Sequence, residues 1–161
     1  MRPMNKSILV KVQKDKIAVG SLIEKLMDLS EREGEVGAIT TFIGRVRGKE
    51  ETRQVNELFL EHYPTMTEKK IMEIVCSASK KFSINGCIVN HRVGKLVPGE
   101  LIVFVGVTSR HRKDAFEACS YVMDFLKTEA PFWKKEKGSN GEKWINSRDT
   151  DYLARDRWLG K

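Results

Sequence analysis

The chain has 161 residues, 40% of them hydrophobic and 32% charged, which suits one folded domain with a real core and not a disordered chain. No apolar run approaches the roughly 18 residues a membrane helix needs. Residues Met1 to Lys16 carry charges and no apolar secretory segment, so a cytoplasmic location is expected. The net charge of +7 and pI near 9.4 favour an anionic partner: nucleic acid, an acidic protein or a phosphorylated small molecule.

Taken in chain order, Ser7 to Val12 (SILVKV) reads as a first strand. Ser21 with Glu24 forms the pattern of a capping box, and Leu22, Leu26 and Leu29 give the following helix one apolar face. Glu31 to Glu35 is a polar turn. Val36 to Arg47 (VGAITTFIGRVR) is rich in β-branched residues and reads as a strand, in which Arg45 and Arg47 share a face. Lys49 to Arg53 is a charged loop and Val55 to Tyr63 another strand.

A second capping box, Thr65 with Glu68, opens a helix to about Phe82 with the stripe Ile71, Val75, Ala78 and Phe82. Asn85-Gly86 marks a turn. Cys87 to His91 and Glu100 to Thr108 read as paired strands joined through Val97-Pro98-Gly99, the second apolar on both faces and therefore central. Arg112 to Glu129 is a helix with the stripe Ala115, Cys119, Val122 and Leu126, ended by Pro131. Phe132 to Glu136 and Lys143 to Asn146 suggest short strands around the turn Gly138 to Gly141. Beyond them the chain is charged, but Trp158 implies that it docks. Helices and strands mix without regular βαβ alternation, which predicts a single α+β domain over residues 1–148 with a mostly antiparallel sheet, about three helices, and a charged tail over 149–161.

The chain has no GxSxG, HExxH or Walker loop. His62, His91 and His111 lack metal-ligand spacing, so no metal site is expected. Cys76, Cys87 and Cys119 form no CxxC and sit in apolar segments, as buried reduced thiols do. The distinctive feature is cations at the ends of apolar elements. Arg45 and Arg47 end a strand; Arg110, His111 and Arg112 lie between the central strand and the third helix, whose N-terminus adds backbone donors for an anion. Lys127 ends that helix, on one face with Met123, and Lys134 and Lys135 follow Pro131. Singly, each is an ordinary solvated charge, and Lys127 suits the helix dipole. Together they outline the rim of one anion pocket.

Three blocks resemble the molybdopterin synthase catalytic subunit family: GAITTFIGRVRG (Gly37 to Gly48), LEHYPTMTEKK (Leu60 to Lys70), and a long stretch from HRVGKLVPGE (His91 to Glu100) through VGVTSRHRKDAFEACSYVMDFLKTEAPFWKKE (Val105 to Glu136). The likeness extends from about Gly37 to Arg148. It departs at Arg110, where the family usually has a small residue before the His-Arg pair, so the shape and charge of the pocket rim differ there.

The resemblance implies an α/β-hammerhead type of fold and a homodimer. It implies a ubiquitin-like carrier subunit ending in a Gly-Gly thiocarboxylate, with two carriers and two large subunits in a heterotetramer. The substrate would be cyclic pyranopterin monophosphate, converted by two sulfur transfers to the dithiolene of molybdopterin. Since the carrier brings the sulfur, no bound cofactor is required. Arg47, His111 and Arg112 match family substrate-pocket positions; Arg148 matches another, and could reach a neighbouring subunit's pocket. Arg45 and Lys135 join them as substrate-binding candidates from their place among the cations. Lys127 matches the family lysine at the reaction centre, as base or nucleophile, and a lysine between other cations has a reason to lose its proton. Lys134 would orient the thiocarboxylate or stabilise developing oxyanion charge. Phe42 and Met123 are placed to pack on the flat pterin, although their spacing is equally that of core residues.

Two other readings compete. A basic nucleic-acid-binding protein would interleave aromatics with Lys and Arg on one surface, whereas here the aromatics fall mostly inside apolar elements. A non-catalytic carrier-binding scaffold would have no need to keep Lys127 and Lys134.

Overall fold

The computed structural model describes residues 7–31 and 34–160. Met1 to Lys6, read above for a targeting signal, Arg32 and Glu33 of the polar turn, and Lys161 lie outside the described residues. The elements are β1 (Ile8–Gln13), α1 (Val19–Ser30), β2 (Ala38–Arg45), β3 (Lys49–Glu50), β4 (Arg53–His62), α2 (Met66–Lys81), β5 (Gly86–Arg92), β6 (Gly94–Leu96), β7 (Leu101–Ser109), α3 (Arg112–Glu129), β8 (Phe132–Gly138), β9 (Gly141–Ile145) and α4 (Asp149–Asp156). No helix among them is long and apolar enough to cross a membrane.

Two sheets form a single mixed α+β domain. The first has the order β1-β5-β7-β2, parallel between β1 and β5 and antiparallel elsewhere. The second runs β3-β4-β8-β9, with β6 also on β4, all antiparallel. β5 and β7 are the inner strands of the first sheet and are covered on both faces, which is why their sequences are apolar without alternation. Val89, Val103, Val105 and Val107 face α2 and α3, packing on Ile71, Val75, Ala118 and Val122. Ile88 and Phe104 face the other way, onto Leu22 and Leu26 of α1. A third cluster, Val46, Leu58, Leu60, Val93 and Leu96, fills the second sheet. Each fully buried side chain of this kind contributes about 1.5–3 kcal/mol.

Neither expected capping box forms. α1 begins at Val19, with Ala18 as its N-cap, so Ser21 already lies inside the first turn. Thr65, at φ 74, makes no side-chain cap on α2. Thr67 instead accepts from the Tyr63 N–H and donates to the Pro131 carbonyl, tying the start of α2 to the entry of β8.

β3, β6 and α4 were not visible in the sequence pattern. β3 and β6 are too short to show a period, and α4 has no apolar stripe. α4 starts instead because the Asp151 carboxylate accepts from the Arg148 N–H, and Asp149 and Asp151 sit where the helix dipole favours negative charge. Trp158 then docks beside α3: it meets Phe82 and Tyr121 edge-on at 5.7 and 5.5 Å, and its indole N–H donates to Asp124 at 2.7 Å.

Candidate active site

One cavity of about 820 Å³ opens where the end of β2, the last turns of α3, the β8–β9 hairpin and the start of α4 meet. Its walls include Phe42, Arg45 and Arg47 from the β2 end, Met123 and Lys127 from α3, Lys134 from β8, and Arg148 ahead of α4. Five cationic side chains thus face three carboxylates, those of Glu50, Glu136 and Asp151.

Local geometry explains each placement. β2 shifts register between Gly44 and Arg45, so Arg45 leaves the regular ladder and its Nε donates to the Gly99 carbonyl at 3.1 Å. A Cβ on Gly44 would stand 2.8 Å from Val103 Cγ1, so glycine permits this close packing beside the cavity. The strand ends at Arg45, so Arg47 does not share a strand face with it as expected, yet both line the cavity. Met123 and Lys127, four residues apart, share one face of α3. Met123 both packs on the core and faces the cavity, and Phe42 is half-exposed there. The Ser147 hydroxyl donates to the Lys127 carbonyl at 2.6 Å, fastening the approach to α4 onto the end of α3.

Lys134 is set deeper. β4 pairs with it on one side (Leu60) and β9 on the other (Ile145). Burial pushes its amine down to about 8, the charge of Lys127 pushes the same way, and the carboxylates of Asp151 and Glu136 oppose. A lysine in this state exists partly as a free amine near neutral pH.

Three of the expected substrate contacts lie elsewhere in the single chain. Lys135 falls on the opposite face of β8 from Lys134 because side chains alternate along a strand. It pairs with Glu142 at 3.3 Å and stands 5.4 Å from the Trp144 ring. His111 and Arg112 are exposed at the N-terminus of α3, fifteen residues before Lys127, which is roughly 22 Å along a helix. One copy of the chain therefore does not bring them to this cavity. Arg110 is exposed beside them, and its carbonyl packs so closely on Gly37 that a Cβ there would lie within 2.3 Å.

Some cavity residues had no sequence signal. His91 lines the floor, stacked on Phe132 with ring centroids 4.0 Å apart. Its Nδ1–H donates to the Arg92 carbonyl at 2.8 Å, leaving Nε2 as an acceptor. Burial pushes the imidazole down to about 3, opposed by that backbone hydrogen bond and assisted by the nearby lysines, so it is neutral. Trp133, Trp144 and Tyr152 add aromatic walls. Their spacing is that of ordinary amphipathic elements, and only the hairpin and α4 bring them together. None of the three cysteines lines the cavity.

The model of the family described as MoaE protein matches residues 12–129. A relative from Escherichia coli, named molybdopterin synthase catalytic subunit, is 49% identical over 147 residues, 89% of this chain and 97% of its own. Among solved structures, a molybdopterin biosynthesis MoaE protein from Burkholderia ambifaria superposes with a TM-score of 0.80 at 39% identity, covering 96% of this chain and 99% of that one. A chain from the complex of subunits 1 and 2 of the Helicobacter pylori molybdopterin-converting factor shares the fold, with a TM-score of 0.67 at 20% identity over 87% of this chain and 90% of its own. On this evidence the chain belongs to the MoaE family, the catalytic subunits of molybdopterin synthase.

Proposed function

We propose that the cavity around Lys127 and Lys134 is where sulfur passes from the C-terminal thiocarboxylate of a small ubiquitin-like carrier to cyclic pyranopterin monophosphate, giving the dithiolene of molybdopterin. The observation that carries this reading is the convergence of Arg45, Arg47, Lys127, Lys134 and Arg148 on one cavity with aromatic walls. The substrate is a flat ring bearing a phosphate, and the carrier tail ends in an anion. Guanidinium forks suit phosphate oxygens. Phe42, Met123 and the tryptophans offer apolar faces to the ring.

The two lysines divide the remaining work. Lys134, partly neutral, is suited to exchange a proton or hold the thiocarboxylate. Lys127, at the end of α3, is the candidate reaction-centre base or nucleophile. The sulfur arrives on the carrier, so the cysteines, Cys87 and Cys119 buried and Cys76 only half-buried, are spectators.

A homodimer completes this reading. His111 and Arg112 would serve the cavity of a second copy, since their own lies a helix length away. Ile39 and Ile43 on the edge strand β2, with Phe116 on α3, leave apolar surface exposed that a mate would cover. Two carriers would then join two large subunits in a heterotetramer; the Helicobacter pylori chain of this fold was solved in a two-subunit complex. A cytoplasmic setting suits three unpaired cysteines.

The deciding experiment is reconstitution with a thiocarboxylated carrier and the cyclic pterin. Lys127→Ala should lower single-turnover dithiolene formation by about 10²–10⁴-fold while leaving carrier binding intact. Turnover that survives the change would remove Lys127 from the reaction centre.

A further inference from the structure

Of the three carboxylates in the cavity, that of Glu50 is tied directly to two of its arginines. Glu50 ends the two-residue strand β3, and its carboxylate bridges two arginines far apart in sequence. Oε1 lies 2.5 Å from Arg47 Nη2 and Oε2 lies 2.5 Å from Arg148 Nη2. The Glu50 side chain is only 12% exposed, against 65% for Arg47 and 54% for Arg148. The carboxylate is therefore the covered member of the trio and the guanidinium groups are the open ones. All three line the same cavity.

A carboxylate offering one oxygen to each of two guanidinium groups reproduces half of what a phosphate would offer them. We propose that Glu50 is a resident competitor for the phosphate-binding arginines: it holds Arg47 and Arg148 together, and a ligand phosphate must displace it to bind. The proposal rests on the reading of this cavity as a phosphate site.

The element that carries Glu50 can move without unfolding the domain. β3 is held to β4 by two register pairs, Lys49↔Gln54 and Glu50↔Arg53, and by one flanking backbone bond from the Val55 N–H to the Gly48 carbonyl at 3.0 Å. The turn between them contains Glu51 at φ 50, a left-handed conformation that costs a non-glycine residue about 1 kcal/mol. Neither neighbouring hydrophobic cluster includes a β3 side chain. Displacement thus exchanges one anion for another at the same two cations. The consequence is selectivity: a weakly charged or single-oxygen anion gains too little to evict a tethered carboxylate, whereas a phosphate brings more oxygens and charge. Salt also loosens the Glu50 bridge while it screens the ligand, so the wild-type response to ionic strength is damped.

The test is calorimetric titration of the full-length protein with inorganic phosphate at low and moderate salt. Glu50→Gln should bind phosphate about tenfold more tightly, the equivalent of about 1.4 kcal/mol, in keeping with the loss of two partly exposed ion pairs. It should also show a steeper salt dependence. Glu57→Gln is the charge-matched control; Glu57 pairs with Lys95 at 2.8 Å on β4 and does not line the cavity. It should leave phosphate affinity within about twofold. Glu50→Asp, which keeps the charge but shortens its reach, should fall between wild type and Glu50→Gln, and it carries the test if Glu50→Gln does not fold. Unchanged or weaker phosphate binding by Glu50→Gln makes Glu50 a mere brace and overturns the proposal. So does an equal gain in Glu57→Gln, which would trace the effect to bulk charge. If neither wild type nor Glu50→Gln takes up phosphate, the phosphate reading of the cavity itself falls, and this proposal with it.

Discussion

Replacing Lys134 by Met should make the protein more stable and less active at once. The amine is held at about 8 against an ordinary lysine value of 10.5, chiefly because it is buried. The folded state therefore binds this proton less readily than the unfolded chain. Well below pH 8 both states are protonated and the folded state bears the full cost of a buried cation. As pH rises from about 8 to 10.5 the folded state releases the proton first, so stability climbs with pH across that window. The gap of 2.5 at about 1.36 kcal/mol for each pH unit sets a ceiling near 3.4 kcal/mol. That ceiling already includes the opposing pull of Asp151 and Glu136, and part of it is forfeited because Lys134 is only partly covered and solvent screens its charge. A gain of about 1–2 kcal/mol at pH 7 remains, or roughly 2–8 °C in Tm for a chain of this size. Scanning calorimetry at pH 7 and again at pH 10 reads this directly: Lys134→Met should melt higher than wild type at pH 7, and the advantage should shrink at pH 10. Sulfur transfer should fall at both values, a stability–activity trade-off typical of a functional site. A Met variant that melts no higher than wild type at pH 7, or whose advantage is the same at pH 10, would refute the argument that burial sets the state of Lys134.

Two further outcomes follow from packing. Trp158→Ala removes two edge-on aromatic contacts and the hydrogen bond to Asp124, and should cost about 2–3 kcal/mol, lowering Tm by roughly 5–10 °C; a change under 1 °C in thermal melts would mean that the C-terminal segment is not docked. Burial pushes the thiol of Cys119 up to about 11 and that of Cys87 higher, so a thiol reagent at pH 8 should label no more than Cys76 quickly in the native protein and all three after denaturation. Rapid native labelling of two or three thiols would contradict the core packing described here.

Local pattern alone determined a good deal. The 3.6-residue stripes of α2 and α3 and the unbroken apolar run of β7 follow from which faces must be dry, and each is written in neighbouring residues. The pairing of β5 with β7 was legible as well, but not that β6 leaves their connection to join the second sheet. The family blocks marked Lys127, Lys134 and the arginines as a set. The tertiary structure decided what those groups do to one another. Lys134 and Lys135 are adjacent and chemically identical in the sequence, yet one faces the cavity and the other Glu142, because the register of β8 on β4 picks the face. Glu50 and Arg148 are 98 positions apart and carry no local signal for each other. His91 looks like any strand residue until Phe132 stacks on it. Periodicity reports whether a side chain is buried, but an electrostatic environment is a sum over neighbours supplied by the whole fold, and it exists only once the hairpin, α3 and α4 have closed around the cavity.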